Sequence, residues 1–408
     1  MTRKVLIIGA GPSGSIAGAL LQNKGYAVTI LERLQFPRFS IGESLLPQCM
    51  EFIQEAGMME AVLEAGFQFK DGADFVYQDR STEFLFEKKF TAGIGTTFQV
   101  QRARFDKLLA DEAVRMGVDI QWLMEVIAAD FSGNKPRLTV RNQHGEINDY
   151  EADFVLDASG FGRILPRLLD LESPSGFPVR QAMFGHIEDR INPRHFDRNK
   201  IRITVHPHHR DVWFWLIPFS NGRSSIGVVA KPEFYAAYDN DYNNALQDII
   251  HEDPSLSELL KNAVFDEKIN TIVGYSANVK SLYGQGYALL GNAGEFLDPV
   301  FSSGVTIAMK SASLAAAVLN KQFKNEAVDW QQDYADVLQR GVNTFRVYVD
   351  AWYDGRFQDV IFHDKQQPEI KAMISSILAG YAWDENNPYV KNARSRFNTL
   401  VELCRNSD

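Results

Sequence analysis

Hydrophobic positions along this chain change period several times, and each change marks a different kind of element. Residues 4–8, Lys-Val-Leu-Ile-Ile, are a short apolar run of the kind that becomes a buried strand. Residues 13–24 turn to helical spacing, with Ile16, Leu20 and Leu21 recurring on one face, and Gly25 is a natural stop. Residues 27–31 are apolar again and end at Glu32. Strand, helix and strand within about 30 residues make a βαβ unit. A loop from residue 36 leads into a helix expected over 44–56. Residues 60–100 read as short strands and turns, 102–116 as a helix, and 137–158 as two strands, the second at 154–157. Between about 178 and 280 the pattern becomes alternating, as at 201–205 and 213–217, which predicts an antiparallel sheet. A buried strand at 287–290 precedes a glycine-rich turn and a helix over 305–320. Residues 328–408 are mostly helical and rich in aromatics (Phe345, Tyr348, Trp352, Tyr353, Phe357), a composition that favours packing over a pocket cover.

These elements predict an α/β protein. A discontinuous Rossmann-like nucleotide-binding domain takes residues 1–75, 98–175 and 282–330. An antiparallel β-sheet substrate domain takes 76–97 and 176–281, and a helical C-terminal region takes 331–408. With 408 residues, 45% of them hydrophobic, the chain can bury a sizeable core without staples. The net charge of −10 argues against general nucleic-acid binding, which needs a basic surface. Cys49 and Cys404 are too few for a disulfide framework or a metal cluster, which fits a reducing, cytoplasmic setting. The first apolar run leads straight into a glycine turn and reads as a strand, not a signal peptide. No run of roughly 18 apolar residues predicts a membrane span. His206, His208 and His209 flank Pro207 and Arg210 and read as a polar turn, so no metal is expected.

Gly9-Ala10-Gly11-Pro12-Ser13-Gly14 is a GxGxxG turn between a strand and a helix. Gly9 permits the tight turn, Gly11 lets backbone approach a pyrophosphate, and Gly14 lets helix and strand pack closely. The helix N-terminus offers free N–H groups to phosphate. Glu32 ends the second strand, where a carboxylate can accept ribose hydroxyls. The pattern predicts dinucleotide binding.

Two later segments resemble the para-hydroxybenzoate-hydroxylase-type flavoproteins. Arg102-Ala103-Arg104-Phe105-Asp106 is similar to their R-x-x-F-D helix start, which implies that Arg102 lies along the ribityl and phosphate chain of FAD. Gly291-Asn292-Ala293 through Asp298-Pro299 is similar to their G-D-A-x-x-x-x-D-P segment, with Asn292 where aspartate is usual; an amide oxygen still accepts from a ribityl hydroxyl. The resemblance implies FAD held by Gly9, Gly11, Ser13, Gly14, Glu32, Arg33, Ser44, Arg102, Gly291, Asn292, Asp298, Gly304 and Val305. No second GxGxxG follows for a nicotinamide cofactor, so reduced flavin is expected from a separate flavin reductase.

Four segments narrow the resemblance to the flavin-dependent halogenases, in particular those acting on phenols and pyrroles. They are Gly42-Glu43-Ser44-Leu45-Leu46-Pro47, the block Gly66-Phe67-Gln68-Phe69-Lys70-Asp71-Gly72-Ala73-Asp74-Phe75, the stretch Trp213-Phe214-Trp215-Leu216-Ile217-Pro218, and Phe296 through Gly304. The first also occurs in geranylgeranyl-reductase-type proteins. Strand alternation puts Trp213, Trp215 and Ile217 on one face. The resemblance implies that the two indoles keep an activated flavin–oxygen species away from the organic substrate, so that a halide meets it first. It implies halide binding at the amides of Ser303 and Gly304, and delivery of hypohalous acid by Lys70 within an apolar frame of Phe67, Phe69 and Phe75. Phe301 stands where tryptophan halogenases carry glutamate, which favours electron-rich phenol or pyrrole substrates, free or tethered to a carrier protein.

The implied activity is therefore halogenation with FAD, O₂ and chloride or bromide. Two alternatives stay open at the level of sequence. One is a monooxygenase or geranylgeranyl-reductase-like oxidoreductase without halide chemistry. The other is a non-catalytic flavin-binding partner in a biosynthetic complex.

Overall fold

The computed structural model describes residues 2–406. The strand Lys4–Ile8 lies near the middle of a six-stranded sheet, between Phe154–Asp157 and Ala27–Glu32, paired in parallel with both. Tyr287–Leu289 and Asp119–Trp122 extend it in parallel on the two sides, and Tyr283–Gly284 adds one antiparallel edge. A parallel sheet needs cover on both faces. The helices Pro12–Asn23, Arg102–Arg115 and Ser303–Phe323 supply one face, and a three-stranded antiparallel sheet (Met124–Asp130, Arg137–Asn142, Ile147–Glu151) the other. The mixed α/β fold agrees with the sequence expectation.

The second large sheet has seven strands in the order Asn270–Val273, Gln181–Glu188, Arg223–Ala230, Trp213–Pro218, Lys200–Val205, Gly72–Tyr77 and Arg80–Leu85. Its alternation works as the sequence suggests. Along Trp213–Pro218 the residues Trp213, Trp215 and Ile217 join the main core, while Phe214 and Leu216 join a separate core under the helix Tyr242–His251. All six residues of this strand are buried, because the sheet is covered on both sides.

Three local expectations differ from the fold. The helix expected over 44–56 covers only Gln48–Glu55, because residues 43–45 run extended against Thr97–Gln99 and Pro47 occupies the helix start. Met59–Glu64 is a short helix within a stretch read as strands and turns. Ile147–Glu151 adds a strand between the two expected in 137–158. The C-terminal helices pack as expected: Phe345, Tyr348, Trp352 and Phe357 are fully buried. Among the described residues no helix is long and apolar enough to cross a membrane.

Candidate active site

A cavity of about 310 Å³ is lined at one end by the Gly9–Gly14 turn and at the other by the seven-stranded sheet. The turn is built around missing side chains. Gly9 has φ +97°, and a Cβ there would lie 2.7 Å from the Ala158 carbonyl oxygen. A Cβ on Gly14 would lie 1.9 Å from the carbonyl oxygen of Gly9, so the helix Pro12–Asn23 seats only without one. A Cβ on Gly11 would meet only Arg38 Nη2, at 3.5 Å, because this residue faces the cavity. Pro12 opens the helix at a position that needs no N–H. The free amides and absent side chains form a cradle that fits a dinucleotide pyrophosphate.

Ser13, Glu32 and Arg33 line the same end. Glu32 is held by two backbone amides, Ala10 N–H to Oε2 at 2.9 Å and Leu34 N–H to Oε1 at 2.9 Å. Arg102 lines the cavity, but its guanidinium grips Asp106 with both arms (2.6 and 2.9 Å) and donates to the Ile41 carbonyl at 2.5 Å. These bonds fix the guanidinium at the cavity wall. Arg38 Nη1 reaches Asp106 as well, at 2.9 Å. Arg38 and Arg102, both lining the cavity, present guanidinium groups of the kind that bind phosphate.

Trp213 and Trp215 line the sheet end of the cavity, with ring centroids 5.9 Å apart. Each indole is pinned. Trp213 Nε1 donates to the Tyr353 hydroxyl (3.1 Å) and Trp215 Nε1 to Ser225 Oγ (3.0 Å). Across the strand pair, Gly227 faces Trp215, and a Cβ there would overlap the indole at 2.3 Å.

Asn292, Gly304 and Val305 also line the cavity, joined by Ser302 in a left-handed conformation at φ +54°. Gly14, Gly291, Asp298 and Ser303 do not line it; they build the wall behind. Gly291 allows the turn to approach Ala308, whose Cβ would be 2.8 Å from a Cβ at this position. Ser303 is buried and opens the helix Ser303–Phe323 with Gly304, whose early amides have no partner within the helix. Asp298 accepts from Tyr353 (2.7 Å), Tyr275 (3.3 Å) and the Val300 amide (3.0 Å). Burial pushes its carboxyl up to about 6, against the pull of these bonds. No motif announced Tyr353 or Tyr275; the Trp213–Tyr353–Asp298 chain is assembled from three distant segments and has no signal in the sequence.

Lys70 sits beside this cavity and does not line it. It is fully buried, and its amine donates to Ser44 Oγ and to the Leu45 carbonyl, both at 2.8 Å. Ser44 does line the cavity, so its hydroxyl stands between amine and cavity. Burial pulls the amine from its ordinary 10.5 down to about 7. The expected frame of Phe67, Phe69 and Phe75 is not what surrounds it. On the strand Gln68–Lys70 successive side chains point opposite ways, so Phe69 faces outward and is exposed. Phe67 packs on Phe105, and Phe75 on Phe84, Trp352 and Phe357. The ring beside the amine is Phe86, 5.3 Å away. Phe301 is also a core residue, packed on Trp352 and Phe357.

A family profile described as an FAD binding domain matches residues 2–336. The chain is 33% identical over 323 residues to a tryptophan 2-halogenase of Chondromyces crocatus, a match covering 77% of this chain and 60% of that relative, less than two thirds of its length. It is 27% identical over 405 residues to a 1H-pyrrole-2-carbonyl peptidyl-carrier-protein chlorinase of Pseudomonas fluorescens, covering 92% and 88% of the two chains. Among solved structures, a flavoprotein/dehydrogenase from Cytophaga hutchinsonii superposes with a TM-score of 0.96 at 42% identity, over 100% of both chains.

Proposed function

The chain belongs to the FAD-binding-domain family and, within it, to the flavin-dependent halogenases, and from that premise we propose that it halogenates an electron-rich aromatic ring using reduced FAD, O₂ and chloride or bromide. The observation that carries this reading is the pair Trp213 and Trp215, lining one cavity with the glycine turn that fits the cofactor. Bound reduced FAD supplies two of the electrons that reduce dioxygen. The protein's part is placement. The Gly9–Gly14 cradle, Glu32, Arg38 and Arg102 hold the dinucleotide. The amides of Ser303 and Gly304 offer positive dipole to a halide. The pinned indoles present a rigid, apolar wall that keeps an organic ring from the oxidant.

In this reading Lys70 holds hypohalous acid. Its donors are turned to Ser44 and Leu45, so the reading requires either that the Ser44 contact opens or that the Ser44 hydroxyl passes the hydrogen bond onward. The substrate class rests on the relatives. One carries a tryptophan 2-halogenase name and another a pyrrole-carbonyl chlorinase name. Position 2 of an indole belongs to its five-membered ring, so both names point to a pyrrole-type carbon, nucleophilic without help from a carboxylate at Phe301. A carrier-tethered substrate, a separate flavin reductase and a cytoplasmic setting complete the proposal.

The test is incubation with FAD, a flavin reductase, bromide or chloride, and a panel of phenols, pyrroles and tryptophan, read by mass spectrometry. Halogenated product is expected. Oxygenated product without halide dependence supports a monooxygenase instead, and FAD binding without halide-dependent flavin oxidation a non-catalytic partner. Lys70→Ala is expected to lower product formation by about a hundredfold or more with FAD still bound; unchanged halogenation removes Lys70 from the mechanism.

A further inference from the structure

Next to Ser44 on the cavity wall lies a second pair, buried Glu43 and partly buried His186, with no part in the scheme above. Glu43 lines the cavity, and its Oε1 meets His186 Nε2 at 2.6 Å. Its other oxygen, Oε2, takes no hydrogen bond from any described residue. The Glu43 backbone is anchored through its carbonyl, which accepts from Val100 N–H at 2.7 Å. The imidazole is held between two rings, Phe39 at 5.5 Å and Phe219 at 5.2 Å. With Nε2 on Glu43, its Nδ1 edge faces Glu267, 3.9 Å away and half exposed. The charged groups facing His186 are therefore Glu43 and Glu267 from loops and Arg223 from the neighbouring strand. Burial opposes protonation of the imidazole, but the bond to Glu43 and the charges of Glu43 and Glu267 outweigh burial and Arg223, and its pKa lies above 6.5.

The balance of halogenation asks for such a pair. Reduced flavin, dioxygen, a halide anion, an aromatic C–H and one proton give oxidised flavin, a carbon–halogen bond and two waters. Dioxygen takes four electrons, two from the flavin and two released as halide and C–H become C–X. The proton cancels the negative charge of the halide and must reach an oxygen inside the cavity.

We propose that His186 and Glu43 form the proton inlet of this cavity, carrying a proton from the solvent side at Glu267, through His186 Nε2 to Glu43, and from Glu43 to the oxygen that leaves as water. One N–H bond at His186 breaks as an O–H bond at Glu43 forms, and the imidazole is recharged at Nδ1. The inference rests on the halogenase reading.

Two variants test it, each first checked for FAD binding by flavin fluorescence. His186→Gln keeps a hydrogen-bond donor toward Glu43 but cannot relay a proton. Its halogenation rate is expected to fall by about ten- to a hundredfold. The wild-type rate should drop as pH rises through the pKa of His186, and this limb should vanish in the Gln variant. His186→Ala opens a space beside Phe39, and imidazole added to the medium is expected to restore its rate. A Gln variant with the wild-type rate and pH profile overturns the proposal, as does an FAD-binding Ala variant whose lost activity imidazole does not restore. Wild-type enzyme that yields no halogenated product defeats the halogenase reading instead, so the two failures are told apart.

Discussion

At the scale of the residue, Lys70 is the most exacting feature. A long cationic side chain is fully buried, with only neutral oxygen atoms, Ser44 Oγ and the Leu45 carbonyl, as hydrogen-bond partners. Burial of a charge without a counter-ion is costly, and the amine responds by giving up its proton more readily. Between pH about 7 and 10.5 the unfolded chain keeps a proton that the folded one has released, so this group makes stability rise with pH across that window. Lys70→Met is therefore expected to be more stable than wild type by about 1–3 kcal/mol at pH 6, the loss of two hydrogen bonds offsetting part of the gain. The advantage should shrink toward pH 10.5, and thermal melts of both proteins across pH check it. A constant difference would mean that the amine is not desolvated. The sequence marks Lys70 through its motif. Its burial and its screening by Ser44 come from a segment about 25 residues earlier, folded over it.

At the scale of the element, the strand Trp213–Pro218 shows how far pattern reaches. Alternation alone places both indoles on one face, because a strand has a period of two. It does not say what holds the rings. Register does: Trp215 lies opposite Gly227, and only a missing side chain leaves room for the indole. Gly227→Ala is expected to push the Trp215 ring aside, costing about 1–3 kcal/mol as overpacking. Urea unfolding and a shifted tryptophan emission would register it. In the proposed reaction the same variant should yield less halogenated product per flavin oxidised, because the apolar wall is breached. Unaltered emission and stability would show that the sheet absorbs the methyl group without moving the ring.

At the scale of the whole molecule, the C-terminal helices are part of the site's foundation. The helix Asp336–Tyr353 buries Phe345, Tyr348 and Trp352 completely and delivers the Tyr353 hydroxyl between Trp213 and Asp298. Tyr353→Phe removes both bonds. The expected loss is about 1–3 kcal/mol, and it should depend on pH. Asp298 carries a raised pKa of about 6, so in wild type its contribution to stability is full below its ordinary 3.8 and is lost as pH rises through about 6. Without the tyrosine donor the carboxyl shifts further up. The variant is then expected to be destabilised more at pH 8, where the wild-type carboxylate is ionised and hydrogen-bonded, than at pH 5. Melting curves at the two pH values decide; an equal loss at both would show that Asp298 does not sense Tyr353.

What the sequence determined by itself is everything carried by short spacing. The βαβ unit, the three glycines of the turn, Glu32 at the strand end and the shared face of the indoles all follow from backbone sterics and side-chain period, which act over a few residues. What only the tertiary structure decided is which distant groups meet. Ser44 is placed over Lys70, Arg38 on Asp106, Tyr353 between Trp213 and Asp298, and His186 on Glu43. These contacts join segments up to 140 residues apart or more, chosen by how the layers close over one another. A buried polar group must find a partner wherever packing delivers one, and no local pattern records which partner that is.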